Sequence, residues 1–505
     1  GANNVAIGYL CLAANTTASD NTAVGYRSLA TNTTGSGATA VGRDSLYSNT
    51  TGTFNTAVGK YALWSNTTAG YNTAMGYDSL QGNTTGASNT GLGVNALRVN
   101  TTGAENVAVG KDSLLANTTG DFNVAVGERA LAYNTTADYN IAMGKKALWK
   151  NTTGASNVAI GHETLKTNTT GGSNTAVGKN SMAANTTGAE NAAFGINSLS
   201  LNTTASNNTA LGKGSMYNNT TGGDNTAVGW NTLDANTTGA NNTAVGYDAL
   251  GANTTASNNA AFGINSLKTN TTGHENTALG RYTLQNNTTA QENTGVGNAA
   301  LEQTTTGSYN TAVGSSVLPA NTTGARNTAV GVFALNANST ASYNTAIGMY
   351  ALQHITTGAR NIAIGYGSNA TSATVDGQCT LGDGNISDLR CNDTSISALS
   401  DQRDKTEIVN SPYGLEFIKT VQPRQFKWET RDGNVKDGST RIGFIAQELL
   451  TSCNGENNIL DLVLDDNADK LEAKYGNLLP IMVQAIKELS TKNDALEARI
   501  TALEG

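Results

Sequence analysis

Apolar and polar positions recur along this chain with one fixed step. Gly8, Gly25, Gly42, Gly59, Gly76 and Gly93 stand 17 residues apart, and the spacing runs without insertion or deletion to Gly365, so 22 glycines mark 21 equal steps. One unit reads Asn21-Thr22-Ala23-Val24-Gly25, three variable residues, Leu29, two more, then Asn32-Thr33-Thr34-Gly35. A short fixed period means one unit stacked on itself, which predicts a solenoid or fibre and not a globular enzyme. Seventeen residues are too few for a strand plus a helix with two turns. They suit two short strands and two tight turns, one coil of a parallel β-solenoid, or β-roll. In the strand segment, alternation puts Thr22 and Val24 on one face and Ala23 and Gly25 on the other. Leu29 recurs as Leu46, Leu63, Leu80 and Leu97, with Met182 and Met216 as substitutes, giving a ladder of one large apolar side chain per coil. Asn21 and Asn32 recur almost as strictly. Asparagine tolerates left-handed turns, and its amide can bond the coils above and below.

At about 4.8 Å per coil the repeats make a rod roughly 100 Å long. One leucine and one or two β-branched residues per coil is a thin core. Association of several chains would bury the second strand face, so the pattern predicts an oligomeric rod.

Composition divides the chain sharply. Residues 400–505 hold 31 of its 68 charged residues, and of four prolines only Pro319 lies before residue 400. The net charge of −8 is mild, and no basic stripe of the kind nucleic-acid binding needs is present. No apolar run approaches the ~20 residues of a membrane helix, so no membrane insertion is expected. Cys11, Cys379, Cys391 and Cys453 show no metal-ligand spacing. Cys379 and Cys391 could pair, but idle thiols are the preferred reading, and no cofactor or metal is expected. Gly1-Ala2-Asn3-Asn4 already lies inside a repeat, so the chain reads as a fragment or processed product.

The repeats resemble the head repeats of trimeric autotransporter adhesins, in which Asn-x-Val-Ala-Ile-Gly recurs and three chains form side-by-side β-rolls. Asn4-Val5-Ala6-Ile7-Gly8 and Asn157-Val158-Ala159-Ile160-Gly161 match closely. The period here is longer than in that family. Each Asn-Thr-Thr is also a glycosylation sequon; repeated turn chemistry is the preferred reading. Ice binding by threonine rows is disfavoured, because Thr33 and Thr34 are adjacent in a turn and not alternate on a flat strand. The residues after each glycine, such as Tyr26, Arg43, Lys60, Tyr77 and Val94, vary most and are expected to face solvent.

Past Gly365 the period reads as ending. The organisation expected is a shaft over 1–367, a neck or cap over 368–399, a small α+β domain over 400–478 and a coiled-coil helix over 479–505. The last 107 residues carry Leu399-Ser400-Asp401-Gln402-Arg403-Asp404-Lys405, then Tyr413-Gly414-Leu415, Gln422-Pro423-Arg424-Gln425-Phe426-Lys427-Trp428, Arg441-Ile442-Gly443-Phe444-Ile445-Ala446-Gln447-Glu448-Leu449 and Tyr475-Gly476-Asn477-Leu478-Leu479-Pro480-Ile481. This ordered set resembles the endosialidase-type intramolecular chaperone, a self-cleaving peptidase family at the C-termini of phage tail fibres and tailspikes and in a few cellular proteins.

A serine hydroxyl needs a base before it attacks, and a lysine can serve if desolvation or a neighbouring cation lowers its pKa. Ser400 and Lys405 are five residues apart, near enough to meet if the segment turns. A serine–histidine–aspartate set is excluded because His162, His274 and His354 all lie in the repeats. The resemblance implies that Ser400 is the nucleophile and Lys405 the base, that the Leu399–Ser400 bond is cut, and that Asp401 and Arg403 have a positioning role. Taken alone, Ser400-Asp401 would be no more than a helix cap.

In the tail, Leu479, Met482, Ile486, Leu489, Asn493, Leu496, Ile500 and Leu503 fill a and d positions over four heptads. Isoleucine at a with leucine at d leans towards dimers; the resemblance implies trimers, which prevails here. The expectation is a homotrimeric shaft of a virion tail fibre that attaches to an unidentified host-surface receptor, a glycan among the candidates. The alternative is a cell-surface or secreted adhesin with the same assembly domain. A carbohydrate-degrading tailspike is disfavoured, since regular coils leave no inserted loops for a groove with paired carboxylates.

Overall fold

The computed structural model describes residues 1–383, 385–386, 400–427, 440–465, 468 and 471–505. It forms two compact units, Gly1–Val332 and Phe333–Gly505.

The first unit is a parallel β-solenoid of 20 three-residue strands, one per period, from Val5–Ile7 to Thr328–Val330. Successive strands pair in step: Thr22 with Thr39, Ala23 with Ala40, Val24 with Val41. Ala23 is buried while Thr22 and Val24 face outwards, so the small residues line the interior. The interior also takes Leu29, Ser28, Asn21 and Asn32, all fully buried.

Each coil has one strand, where two were expected. On the side opposite the strand the backbone repeatedly enters the left-handed region, with φ of 54° at Arg27 and 52° at Leu29, which no strand can do. Coil-to-coil hydrogen bonds persist there: the Leu29 N–H donates to Ser45 O at 3.0 Å, and the Arg27 N–H donates to Tyr9 O at 2.9 Å. These bonds run to opposite neighbours, so the turn side is cross-linked as fully as the sheet.

The left-handed positions are not those expected. They fall on the leucine row, on the residue two before it, and on the residue before the first asparagine, such as Asp20. The recurring Asn21 and Asn32 do a different job. Asn49 Nδ2 donates to Asn32 Oδ1 at 2.8 Å and to Gly52 O at 3.0 Å, and Asn66 repeats the link to Asn49 at 2.8 Å. In the other row the Ala38 N–H donates to Asn21 Oδ1 at 2.9 Å, and Asn21 Nδ2 donates to Gly35 O at 3.1 Å. Buried amides cost several kcal/mol unless bonded, roughly 1–3 each in proteins, and the ladders meet that requirement coil by coil. The period glycine is fixed twice over. Gly25 has φ +130°, and a Cβ there would lie 2.7 Å from Gly42 O.

The second unit opens with three more coils, whose strands are Thr345–Ile347, Ile362–Ile364 and Cys379–Leu381. The last corrects the sequence reading: the period runs one coil past Gly365. Cys379 pairs with Ile362 and Leu381 with Ile364, and Gly382 keeps the spacing. Cys379-Thr380-Leu381 lacks the Asn-Thr-Ala-Val signature, which is why the spacing alone carries it. Cys391 lies outside the described residues, so the Cys379–Cys391 pairing does too.

The α+β part holds helices α1 (Leu415–Ile418), α2 (Ala446–Ser452), α3 (Asn457–Leu460) and α4 (Leu478–Glu504). Arg424–Lys427 pairs antiparallel with Thr440–Gly443, and Val463–Leu464 with Glu472–Ala473. A small core joins Val421, Leu449, Cys453, Leu462, Leu478 and Ile481. The helix α4 has two apolar faces. Leu478, Ile481 and Ala485 are buried in its own domain, whereas the heptad residues Leu479, Ile486, Leu489 and Leu503 are 56–85 % exposed.

Candidate functional site

Ser400 opens the described stretch 400–427 of this unit, ahead of a short 3-10 turn, Gln402–Asp404. Asp401 caps that turn: its Oδ1 accepts from the Arg403 N–H at 2.8 Å. The Arg403 guanidinium folds back on the same carboxylate, with Nε at 3.0 Å from Oδ1 and 3.1 Å from Oδ2. The Arg403 fork and its backbone N–H hold the Asp401 carboxyl below the usual carboxylate range. The turn therefore closes on itself, and its far end brings Lys405 Nζ into hydrogen-bond contact with Ser400 Oγ. Ser400, Asp401, Arg403 and Lys405 are all exposed. Leu399, the other side of the expected scissile bond, lies outside the described residues.

Chemically this is a hydroxyl with an amine at hand, and a cap–fork pair that fixes the turn between them. An amine accepts a proton only when neutral, which needs desolvation or a nearby cation. In the single chain the pair sits in the open.

The other motif residues work on the fold. Tyr413 Oη donates to Glu456 Oε2 at 2.6 Å. Beside it, the Leu415 N–H at the start of α1 donates to Glu488 Oε2 of α4 at 2.8 Å. Gly414 makes that approach possible, since a Cβ there would meet the Glu488 carboxylate at 2.2 Å. Arg424 Nε donates to Glu448 Oε2 at 2.8 Å. The Phe444 ring stands edge-on to Tyr475, centroids 5.4 Å apart. Asp461, in a left-handed conformation with φ 47°, receives Lys474 Nζ at 2.7 Å, and its carbonyl receives Asn477 Nδ2 at 2.6 Å. Sequence reasoning missed Glu456, Asp461 and Glu488. Nothing near them in the chain announces their partners; for Glu488 the partner is 73 residues away. Trp428 lies outside the described residues.

On the shaft, the residues after the period glycines are exposed as expected: Tyr26, Arg43, Lys60, Tyr77 and Val94. Some form stacks, as Tyr9 and Tyr26 do at 5.6 Å. Asn32 of the sequon is fully buried with both amide atoms engaged, which leaves no room for a glycan on the folded coil. Thr33 Oγ1 donates to Thr50 O at 3.0 Å, so this threonine row is spent on the turn; Thr34 is exposed.

Comparison with known families matches residues 400–453 to the family described as chaperone of endosialidase. The match begins at Ser400 itself. The family is a peptidase family, and the match implies a self-cleaving domain behind the β-solenoid, as in tail-fibre-like proteins with a C-terminal chaperone. No curated protein matches the chain.

Proposed function

We propose that this chain is the trimeric shaft of a phage tail fibre, assembled by a C-terminal chaperone that then cuts itself away between Leu399 and Ser400. The observation that carries the reading is the outward row just before each period glycine. From Ile7, Val24 and Val41 to Ile364 and Leu381 it is apolar in every coil. Yet Ile7 is 60 % exposed, Met75 47 % and Leu211 48 %. An exposed apolar stripe of this length marks an interaction surface. Only a partner that offers an apolar side chain at every strand spacing can cover it, and a copy of the same chain does. The exposed heptad seam of α4 independently supports self-association.

Cleavage follows ordinary serine chemistry. Lys405 takes the Ser400 hydroxyl proton, and Oγ attacks the Leu399 carbonyl carbon. The Leu399–Ser400 C–N bond breaks, the proton goes to the departing amine, and Leu399 is left as an ester on Ser400 Oγ. Water opens the ester to a Leu399 carboxylate and a free Ser400 hydroxyl. Asp401 and Arg403 hold the turn. A C-terminal clamp has a physical purpose, because identical parallel strands from separate chains align slowly. Cutting it off afterwards leaves the rod kinetically trapped.

The test is an intact mass of the denatured chain. Native sequence gives two fragments divided at Leu399/Ser400, whereas Ser400→Ala and Lys405→Ala each stay full length. Normal cleavage in either variant overturns the dyad. The close match of Asn4-Val5-Ala6-Ile7-Gly8 to adhesin heads favours a second reading, a cell-surface adhesin with the same assembly device. An anchor or export signal in the natural gene upstream would decide for it.

A further inference from the structure

Two outward rows run along the strand face of the first unit, one at the Thr22 position and one at the Val24 position. Their residue sizes are correlated. Phenylalanine enters the Val24 row at Phe194 and Phe262 only, and those same two coils are the only ones with alanine in the Thr22 row, Ala192 and Ala260. Every other coil of the unit has threonine, valine or isoleucine there. Both phenylalanines are nearly two-fifths exposed, and both alanines are half-buried. Within the chain nothing demands the exchange. Phe194 is in register with Val177 and Leu211 of the adjacent coils, and Ala192 with Thr175 and Thr209. Along its own strand Ala192 is about 6.6 Å from Phe194.

The rows carry a second pattern. In the Val24 row of the unit, after Ile7 at its start, side chains larger than valine come in pairs on successive coils, beginning at Met75, Met143, Phe194 and Phe262. These starts are 68, 51 and 68 residues apart, or four, three and four periods of 17. No slip by whole coils superposes all four pairs.

We infer that these rows set the register between chains. Phe194 of one chain lies over Ala192 of a second copy in the same layer, and Phe262 over Ala260 likewise. The inference rests on the reading of the protein as a trimer of parallel chains. The apolar row alone exposes on the order of 1,000 Å² over the unit, against ~800 Å² per partner in a standard interface. Close-packed interfaces tolerate poorly the gain or loss of even a few methylene groups. A phenylalanine is accommodated only where the facing threonine has become alanine, and both phenylalanines meet an alanine only when like coils share a layer; a slip of four coils keeps one such meeting and loses the other. Any slipped trimer would set at least one phenylalanine against a β-branched residue and at least one alanine against a side chain other than phenylalanine, a clash and a void. The shaft therefore checks the alignment that the C-terminal domain begins.

The test is disulfide trapping in the full-length chain. The double variant Ala192→Cys with Phe194→Cys, oxidised and run on a non-reducing denaturing gel, is expected to shift most of the chain to a covalent trimer. Ala192→Cys with Val228→Cys, two coils out of step, is expected to give no more cross-linking than the native chain with its own cysteines. Native mass is measured on each sample. A monomer by mass refutes the trimer reading itself. A trimer by mass in which both pairs cross-link equally refutes the register, and one in which neither does refutes the phenylalanine–alanine contact.

Discussion

Leu148 holds a backbone φ of 50° and is completely buried. That pairing explains a restriction the sequence shows but does not account for: throughout the first unit this row is leucine or methionine and never valine or isoleucine. A left-handed backbone is a genuine outlier for a β-branched side chain, whereas an unbranched Cβ tolerates it. Leu148→Ile is thus expected to lower stability by about 1–3 kcal/mol through strain, and Leu148→Met by under ~1.5 kcal/mol. Thermal unfolding of the two variants side by side checks this; equal losses would mean the row is chosen for volume alone. Residue chemistry was legible where it involved composition, as with the small Ala23 face. It was not legible where backbone conformation decided, because a leucine gives no outward sign of left-handed geometry, and the two recurring asparagine rows, of Asn21 and Asn32, are engaged in ladders instead.

The ladders and helices respond as units. The Asn32 ladder is interrupted where the repeat has Thr304 in place of asparagine. Asn287 Nδ2 still donates to Asn270 Oδ1 at 2.7 Å, but Asn287 Oδ1 is buried with no donor against it. Thr304→Asn should supply that donor and raise stability by about 1 kcal/mol, read as a higher unfolding midpoint; a drop would show that the coil has settled around threonine. In the α+β part, α4 serves as the post to which α1 is tied by Glu488. The Leu415 N–H and then the Gln484 amide hold the Glu488 carboxyl below its ordinary value. A carboxyl so lowered stabilises the fold above its unfolded pKa, and that contribution is lost as pH falls through the folded value. Exchange of the Leu415 amide, corrected for its intrinsic pH dependence, should rise on acidification below about pH 4. Glu488→Gln should exchange faster at neutral pH and lose that dependence. Element type was readable from the period for the shaft and from the heptads for α4. The number of strands per coil was not, since hydrogen bonding between coils on the turn side imitates a second strand in the sequence pattern.

For the molecule as a whole, the shaft was readable because one unit is written many times over, and the pairing of Ser400 with Lys405 because a single turn spans five residues. The tertiary ties of Glu456, Asp461 and Glu488 were not, because their partners are brought together only by the folded domain. Removal of 400–505 is expected to leave chains that sediment as monomers or aggregates, since register checking cannot begin until ends are gathered. A soluble trimer from that truncated chain would show that the rows alone suffice. The close approach of Gly25 to Gly42 has a further consequence, for heredity. A Cβ has no place between coils, and every ladder counts the same number of residues, so a deletion of one codon would throw glycine, leucine and both asparagines out of line together. Loss or gain of seventeen codons would only remove or add a rung. The gene is thus free to vary the reach of its product in whole steps, and natural variants of this shaft should differ in length by multiples of its repeat.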